Sequence, residues 1–329
     1  MSLLDAVASP ALRGVGRALS PGGARARLSV LMYHRVLPER DPVLHDELHA
    51  SLFDTHMRTL REYFNVLPLG EAVDRLHDGT LPPRAACVTF DDGYRDNVEV
   101  ALPILRRHGL QATFFIATGF LDGGRMFNDT VIEALRAMPG EVADLEDFGL
   151  GRVSISTPVA RRQAIDKVLR AVKYLPPERR TAAVDRLASR CGRPLPRDLM
   201  MDSPQVRSLA DAGMEIGAHT VNHPILTQVP IETAREEISG SKIHLQELLQ
   251  RPIDVFAYPN GVPGKDYAAE HVPVVRDAGF KAAVSTSWGA ADTTTDVYQL
   301  PRFTPWDRTP AKFAARMLLN CVRHTPTFV

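Results

Sequence analysis

The sequence predicts an α/β protein on a largely parallel sheet. Short apolar runs alternate along the 329 residues with segments whose apolar residues recur at helical spacing. Six or seven such strand–helix units follow one another without an internal repeat. That number suits one barrel-like closed sheet better than two separate domains.

The units are taken in chain order. Leu28 to Tyr33 (LSVLMY) reads as the first strand. Phe53, Met57, Leu60 and Phe64 recur at helical spacing, and Leu69 to Leu76 makes a second short helix. Ala85 to Phe90 (AACVTF) is a buried strand that runs into DDGY, and a helix through Val98, Ala101, Leu102 and Leu105 stops at Gly109. Ala112 to Ala117 is a strand again. From about residue 120 to 202 the rhythm breaks into a helical insertion, with helices over Asp129–Met138 and Pro158–Arg190 and a break at Pro176-Pro177. Alternation then resumes. A helix capped by Ser203 with Pro204 at its first position ends at Gly213. Strands at Met214–Ala218, Ile253–Tyr258 and Phe280–Ser285 alternate with helices at Ile231–Leu249 and Ala268–Ala278. Residues 28–310 form the expected catalytic unit, 1–27 an N-terminal extension and 311–329 a C-terminal helix or tail.

Composition narrows the function. Hydrophobic residues at 44% and charged residues at 24% exclude wholesale disorder. Lys plus Arg equals Asp plus Glu at 39 each, which disfavours a nucleic-acid binder relying on a global basic field. Cys87, Cys191 and Cys321 are too few and scattered for a disulfide framework or a Cys-rich zinc site, and fit a reducing compartment. Residues 1–27 lack the continuous apolar core of an export signal, and no run reaches the roughly 20 residues of a membrane span. The expectation is a cytoplasmic protein. Leu3, Leu4, Val7, Leu12, Val15 and Leu19, with arginines around them, allow a docked terminal helix or peripheral contact with the inner membrane. Eleven Lys or Arg face three Asp or Glu between Arg161 and Arg197, either as solvated helix faces or as a wall attracting an anionic substrate.

Parallel sheets carry their chemistry in the loops at the C-terminal ends of strands. Four loops qualify. They hold His34; Asp91 and Asp92; His219, Thr220 and His223; and Pro259, Asn260 and Gly261. Two histidines four residues apart, with one carboxylate from another loop, make a three-ligand set with open positions, as a catalytic divalent metal needs. Adjacent side chains diverge, so one of Asp91 and Asp92 can bind metal while the other addresses a water. Tyr94 and Tyr258 either stack on a ligand or pack at the barrel rim. For Trp288 and Trp306 core packing is the better reading, and for His45, His49, His56, His244 and His271 surface or packing roles are.

At these residues the sequence resembles a known family. TFDDGY (Thr89–Tyr94) and HTVNHP (His219–Pro224) look like the first two motifs of the polysaccharide deacetylases, carbohydrate esterase family four. The resemblance spans roughly Leu28 to Phe303 and is weakest in the insertion. It implies a distorted (β/α) barrel of about seven strands, one divalent metal, most simply Zn2+, and removal of acetyl groups from sugars. Residue by residue it implies Asp91 as catalytic base and Asp92, His219 and His223 as metal ligands. FAYPNG (Phe256–Gly261) resembles the third motif, which lines the groove and offers the Asn260 N–H to an oxyanion.

Two departures stand out. The position of the third-motif arginine is Ala257, and Arg302 in LPRF is the candidate to supply that charge from elsewhere. The family's C-terminal Leu-x-His motif is absent, and His324 is a poor substitute for it. LSVLMYH at the N-terminus looks like that motif moved by circular permutation, which makes His34 the expected general acid. The expected substrate is an N-acetylated sugar of a polysaccharide or of a lipid-linked precursor, with no nucleic-acid partner. Alternatives are an amidohydrolase of small cyclic amides and a non-catalytic carbohydrate-binding protein.

Overall fold

A computed structural model describes residues 14, 16, 18–322 and 328–329. The N-terminal leucines up to Leu12, Val15 and His324 lie outside the described residues. Among the described residues there are nine strands: β1 Leu28–Tyr33, β2 Asn65–Val66, β3 Ala85–Phe90, β4 Thr113–Ile116, β5 Val142–Asp144, β6 Arg152–Ser154, β7 Glu215–Ala218, β8 Val255–Ala257 and β9 Ala282–Val284. Ten α-helices with assigned bounds accompany them there: α1 Ala50–Tyr63, α2 Leu69–His77, α3 Leu102–His108, α4 Phe127–Ala137, α5 Pro158–Val172, α6 Pro177–Ser189, α7 Ser203–Asp211, α8 Ile231–Leu249, α9 His271–Asp277 and α10 Pro310–Val322.

The main sheet has seven strands, all paired in parallel, in the order β1-β3-β4-β7-β8-β9, with β2 beside the start of β3. The segment 297–303 carries the ring from β9 back to β1. Ser285 N–H donates to Leu300 O at 2.8 Å on one side, and Phe303 N–H donates to Val30 O at 3.1 Å on the other. The result is the distorted (β/α) barrel that the strand–helix rhythm requires, closed by a segment too irregular for the sequence pattern to reveal.

Alternation along the strands sorts the core into two layers. Val30, Cys87, Phe115, Val255, Ala257, Ala282 and Val284 pack together with α2, which lies across the N-terminal end of the barrel. Glu215 ties that helix down, accepting the N–H groups of Leu69 and Gly70 and the Thr113 hydroxyl. The neighbouring residues Leu31, Val88, Phe90, Phe114 and Phe256 face the opposite way, against the outer helices. Barrel strands buried on both faces explain why the sequence shows continuous apolar runs.

The insertion has an apolar cluster of its own, centred on Val131, Leu135, Leu145, Ile165, Val168 and Leu187. It is less purely helical than expected, because β5 and β6 form an antiparallel hairpin. Its basic excess is partly paired within the insertion. Arg186 and Arg190 pair with Asp147, Arg162 with Asp166, Arg161 caps the carbonyl end of α4, and the Arg180 guanidinium lies over the Phe127 ring. These contacts favour the reading of solvated, locally paired faces over an anion-attracting wall. The cap of α7 also differs by one residue. Asp202, not Ser203, accepts the Gln205 N–H at 2.8 Å, and the Gln205 side chain returns a bond to Asp202 N–H, because the reciprocal pairing needs a glutamine three residues on.

β7 sits where backbone and side chain meet most tightly. A methyl group on Gly217 would lie 2.5 Å from the Phe115 ring and 2.9 Å from Val255 O. Gly217→Ala is expected to lower stability by about 1–3 kcal/mol in urea unfolding, by overpacking the strand that leads into His219.

Candidate metal and hydrolytic site

Parallel register brings the four functional loops to one rim. Tyr33 lies opposite Phe90, Ile116 opposite Ala218, and Ala218 opposite Phe256, so β1, β3, β7 and β8 end together. The loops that follow are backbone-strained. Asp92 (φ 76°), Thr220 (φ 64°), His223 (φ 51°) and Asn260 (φ 58°) are four of the seven non-glycine residues with left-handed backbone among those described. Such residues persist only where their surroundings hold them, and they cluster at functional sites. Here the left-handed turn at Asp92 separates the two adjacent carboxylates.

Asp92 turns toward the histidines. His219 Nε2 and His223 Nε2 each lie 3.5 Å from Asp92 Oδ1, and the three donor atoms fall within 4.8 Å of one another. Ligands at zinc-type bond lengths around one tetrahedral centre are separated by about 3.4 Å, so the spacing fits. Two further observations point to an ion. Asp92 Oδ1 is buried without a hydrogen-bond partner, which is costly unless a cation takes its lone pairs. His219 Nδ1 bonds Ala257 O at 2.7 Å, which directs Nε2 into the site. Burial, reinforced by His219, pushes His223 down to about 3 despite the nearby Asp92 carboxylate, so its imidazole is neutral as a ligand must be. Burial opposes ionisation of Asp92, but the imidazoles of His219, His223 and His34 around it hold its carboxyl well below the usual range.

Asp91 turns the other way and meets Arg302. The guanidinium makes a two-pronged pair, NH1 to Oδ1 at 2.7 Å and NH2 to Oδ2 at 2.8 Å. Its Nε donates to Ser285 O at 3.0 Å, and Arg302 is fully buried. The arginine reaches the site from the closing segment, while Ala257 contributes only a methyl group to the same interior. Burial works against the Asp91 charge, yet Arg302, with His219 adding to it, keeps the carboxyl below its ordinary value. Asp91 is therefore held ionised and oriented.

His34 follows β1 at the same rim, within electrostatic reach of Asp91, Asp92 and His223. Its carbonyl accepts from Asn97 Nδ2 at 2.8 Å, and Asp96 accepts the Val36 N–H and the Arg35 guanidinium. Asp96 and Asn97 escape a sequence reading, although both stand just beyond DDGY at the wider, π-helical turn Asn97–Ala101 that precedes α3. Glu237 escapes it too. From α8 it accepts the N–H groups of Val221 and Asn222 at 2.9 and 2.7 Å and so fixes the His219–His223 loop, yet in the sequence it is one more charge on a polar helix face.

The remaining candidates separate. Tyr94 lines the cavity beside the triad, but its hydroxyl is tied to Asp129 and the Arg35 guanidinium lies 4.8 Å from its ring centre. Burial pushes Asp129 up to about 7. Tyr258 is fully buried and stacks on Tyr267 at 3.9 Å, so it is a core residue rather than a ligand platform, because its ring points to the helix side of β8. Pro259 is buried, and Asn260 is half-buried with its carbonyl accepting from Thr286. Trp306, expected in the core, is 53% exposed. The cavity holds about 1020 Å3 and is lined by His34, Asp92, Tyr94, Asn128, Asp129 and Trp306 among others.

Two predictions follow from this geometry. Arg302→Met should cost about 3–5 kcal/mol in urea unfolding by leaving Asp91 buried and unpaired, and adding Asp91→Asn should return much of that loss. Since the folded-state value of Asp91 is depressed, its contribution is present at neutral pH and is lost as pH falls through that value, and the double variant should lack this acid sensitivity. Metal titration by calorimetry should give one divalent ion per chain, with affinity reduced at least tenfold in Asp92→Asn and in His223→Ala.

A family model described as polysaccharide deacetylase matches residues 78–151 and 181–283, more than half of the chain. The match takes in Asp91, Asp92, His219, His223 and the Phe256–Gly261 loop and leaves out His34 and Arg302. YxkH of Bacillus subtilis (strain 168) is 20% identical over 279 residues, covering 84% of this chain and 71% of its own. Among solved structures, the Streptococcus pyogenes deacetylase PplD in complex with acetate superposes with a TM-score of 0.62 at 20% identity, over 89% of this chain and 98% of its own. IcaB from Ammonifex degensii gives a TM-score of 0.57 at 18% identity, over 91% and 98%. At these identities the superpositions establish the shared barrel, and the motif-bearing match establishes the lineage. The chain belongs to the polysaccharide deacetylase family.

Proposed function

We propose that this protein is a metal-dependent hydrolase that removes acetyl groups from N-acetylated sugars of a polysaccharide or of a lipid-linked glycan precursor. The observation that carries the reading is the division of labour between two adjacent carboxylates. Asp92 belongs to a three-donor metal set, while Asp91, beside it, is held ionised by a buried arginine. A divalent cation held by Asp92, His219 and His223, most simply zinc given two imidazoles and a carboxylate, would supply Lewis-acid polarisation of the water and the acetyl carbonyl.

The chain's own residues do the rest. Asp91 accepts the proton of the attacking water, and Arg302 fixes its orientation without competing for that proton. His34 donates a proton to the departing sugar amine, which leaves poorly as an anion. The Asn260 N–H is the candidate oxyanion donor, an interaction of about 3–4 kcal/mol where it has been measured in a protease. The strand that carries His34 is hydrogen-bonded between β3 and the closing segment, which supports the permuted arrangement in which the first strand bears the acid histidine. Arg302 beside Asp91 answers one of the two departures behind a non-catalytic reading, the missing charge at Ala257. A cavity of about 1020 Å3 favours a glycan over a small cyclic amide.

The test is acetate release from N-acetylglucosamine oligomers by protein stripped with a chelator and refilled with zinc or cobalt. Activity should require the metal. Asp91→Asn and His34→Ala should each lower kcat by about 10²–10⁴ while leaving metal stoichiometry unchanged. Stoichiometric metal without acetate release from any of a panel of acetylated sugars would overturn the proposal.

A further inference from the structure

The cavity at the site lies at the upper end of the range for small-ligand pockets, about 300–1,000 Å3, and has room beyond one acetylated sugar. Trp306 forms part of its lining together with Arg308, Arg40 and Glu47. Among the described large apolar side chains it is one of the most exposed, at 53%. Its ring is nevertheless held in place. Trp288 packs against it with ring centres 5.0 Å apart, and the Arg316 guanidinium lies 4.8 Å from its centre while pairing with Asp307. An indole held by these two neighbours yet half exposed, in the wall of a polar-lined cavity, presents apolar surface to a ligand.

We propose that Trp306 is the platform of a second sugar subsite, stacking on the apolar C–H face of a pyranose that neighbours the residue being deacetylated. This rests on the deacetylase reading for the identity of the ligand. It deepens that reading by making an oligosaccharide, rather than a monosaccharide, the unit of recognition. Sequence distance supports the placement. Trp306 follows Arg302 by four residues, which span at most about 14 Å, so one segment both orients Asp91 and carries the platform. Arg40, Glu47 and Arg308 line the same cavity and supply hydrogen-bonding groups suited to sugar hydroxyls.

The experiment measures binding apart from turnover. Metal-loaded Asp91→Asn protein is titrated calorimetrically with N-acetylglucosamine and with its β-1,4- and β-1,6-linked tetramers. Trp306→Ala in that background should weaken tetramer binding about tenfold, Trp306→Phe should retain most of it, and the monosaccharide should be unaffected. Equal tetramer affinities with and without Trp306, equal weakening for monomer and tetramer, or no saturable binding of either tetramer would overturn the subsite. Trp306-dependent tetramer binding without acetate release by the metal-loaded wild-type protein would retain the subsite and overturn the deacetylase reading alone.

Discussion

The buried pair between Arg302 and Asp91 joins the last barrel segment to the strand that carries the chemistry. A guanidinium with no solvent exposure is tolerable only with its charge and donors satisfied. Arg302 meets that condition through Asp91, Thr89 and the Ser285 carbonyl. In doing so it pins the irregular 297–303 segment across the gap between β9 and β1. The same contact closes the sheet, fixes the rotamer of Asp91 and sets its protonation state, so fold and site share one interaction.

Around that pair the rim is built from residues held in unfavourable backbone conformations. Asp92, Thr220, His223 and Asn260 adopt left-handed geometry, and each is stabilised by its neighbours rather than by local preference. Thr220 Oγ1 accepts the His223 N–H at 3.1 Å, and Glu237 takes the two amides between them. Asp96 and Asn97 hold the turn after His34 in the same way. Metal donors need fixed directions more than fixed distances, and this outer layer of carboxylate and amide contacts supplies them.

The insertion contributes less to the chemistry than its charge implies. Several of its arginines are engaged with Asp147, Asp166, helix carbonyls and an aromatic ring, and none of the residues 161–197 lines the cavity. Its contribution to the cavity wall is instead Asn128, Asp129 and Ile132, from the first two turns of α4. Net charge counted along a sequence ignores where the charges sit, and here their placement off the cavity wall decides.

The sequence by itself determined the barrel strands, since β1, β3, β4, β7, β8 and β9 all fall inside apolar runs marked off by turn residues. It determined the three-donor cluster as well, because His219, His223 and Asp92 sit next to the ends of those runs, where parallel register must bring them together. Only the tertiary structure decided that Arg302 serves Asp91, since a residue 211 positions away in sequence carries no local signal of its partner. Packing likewise sent Tyr258 into the core and left Trp306 open to the cavity. Tyr258 directly follows β8 with its ring among the residues on the helix side, whereas Trp306 lies in irregular chain beyond the closing segment, so local sequence does not say which of the two is buried.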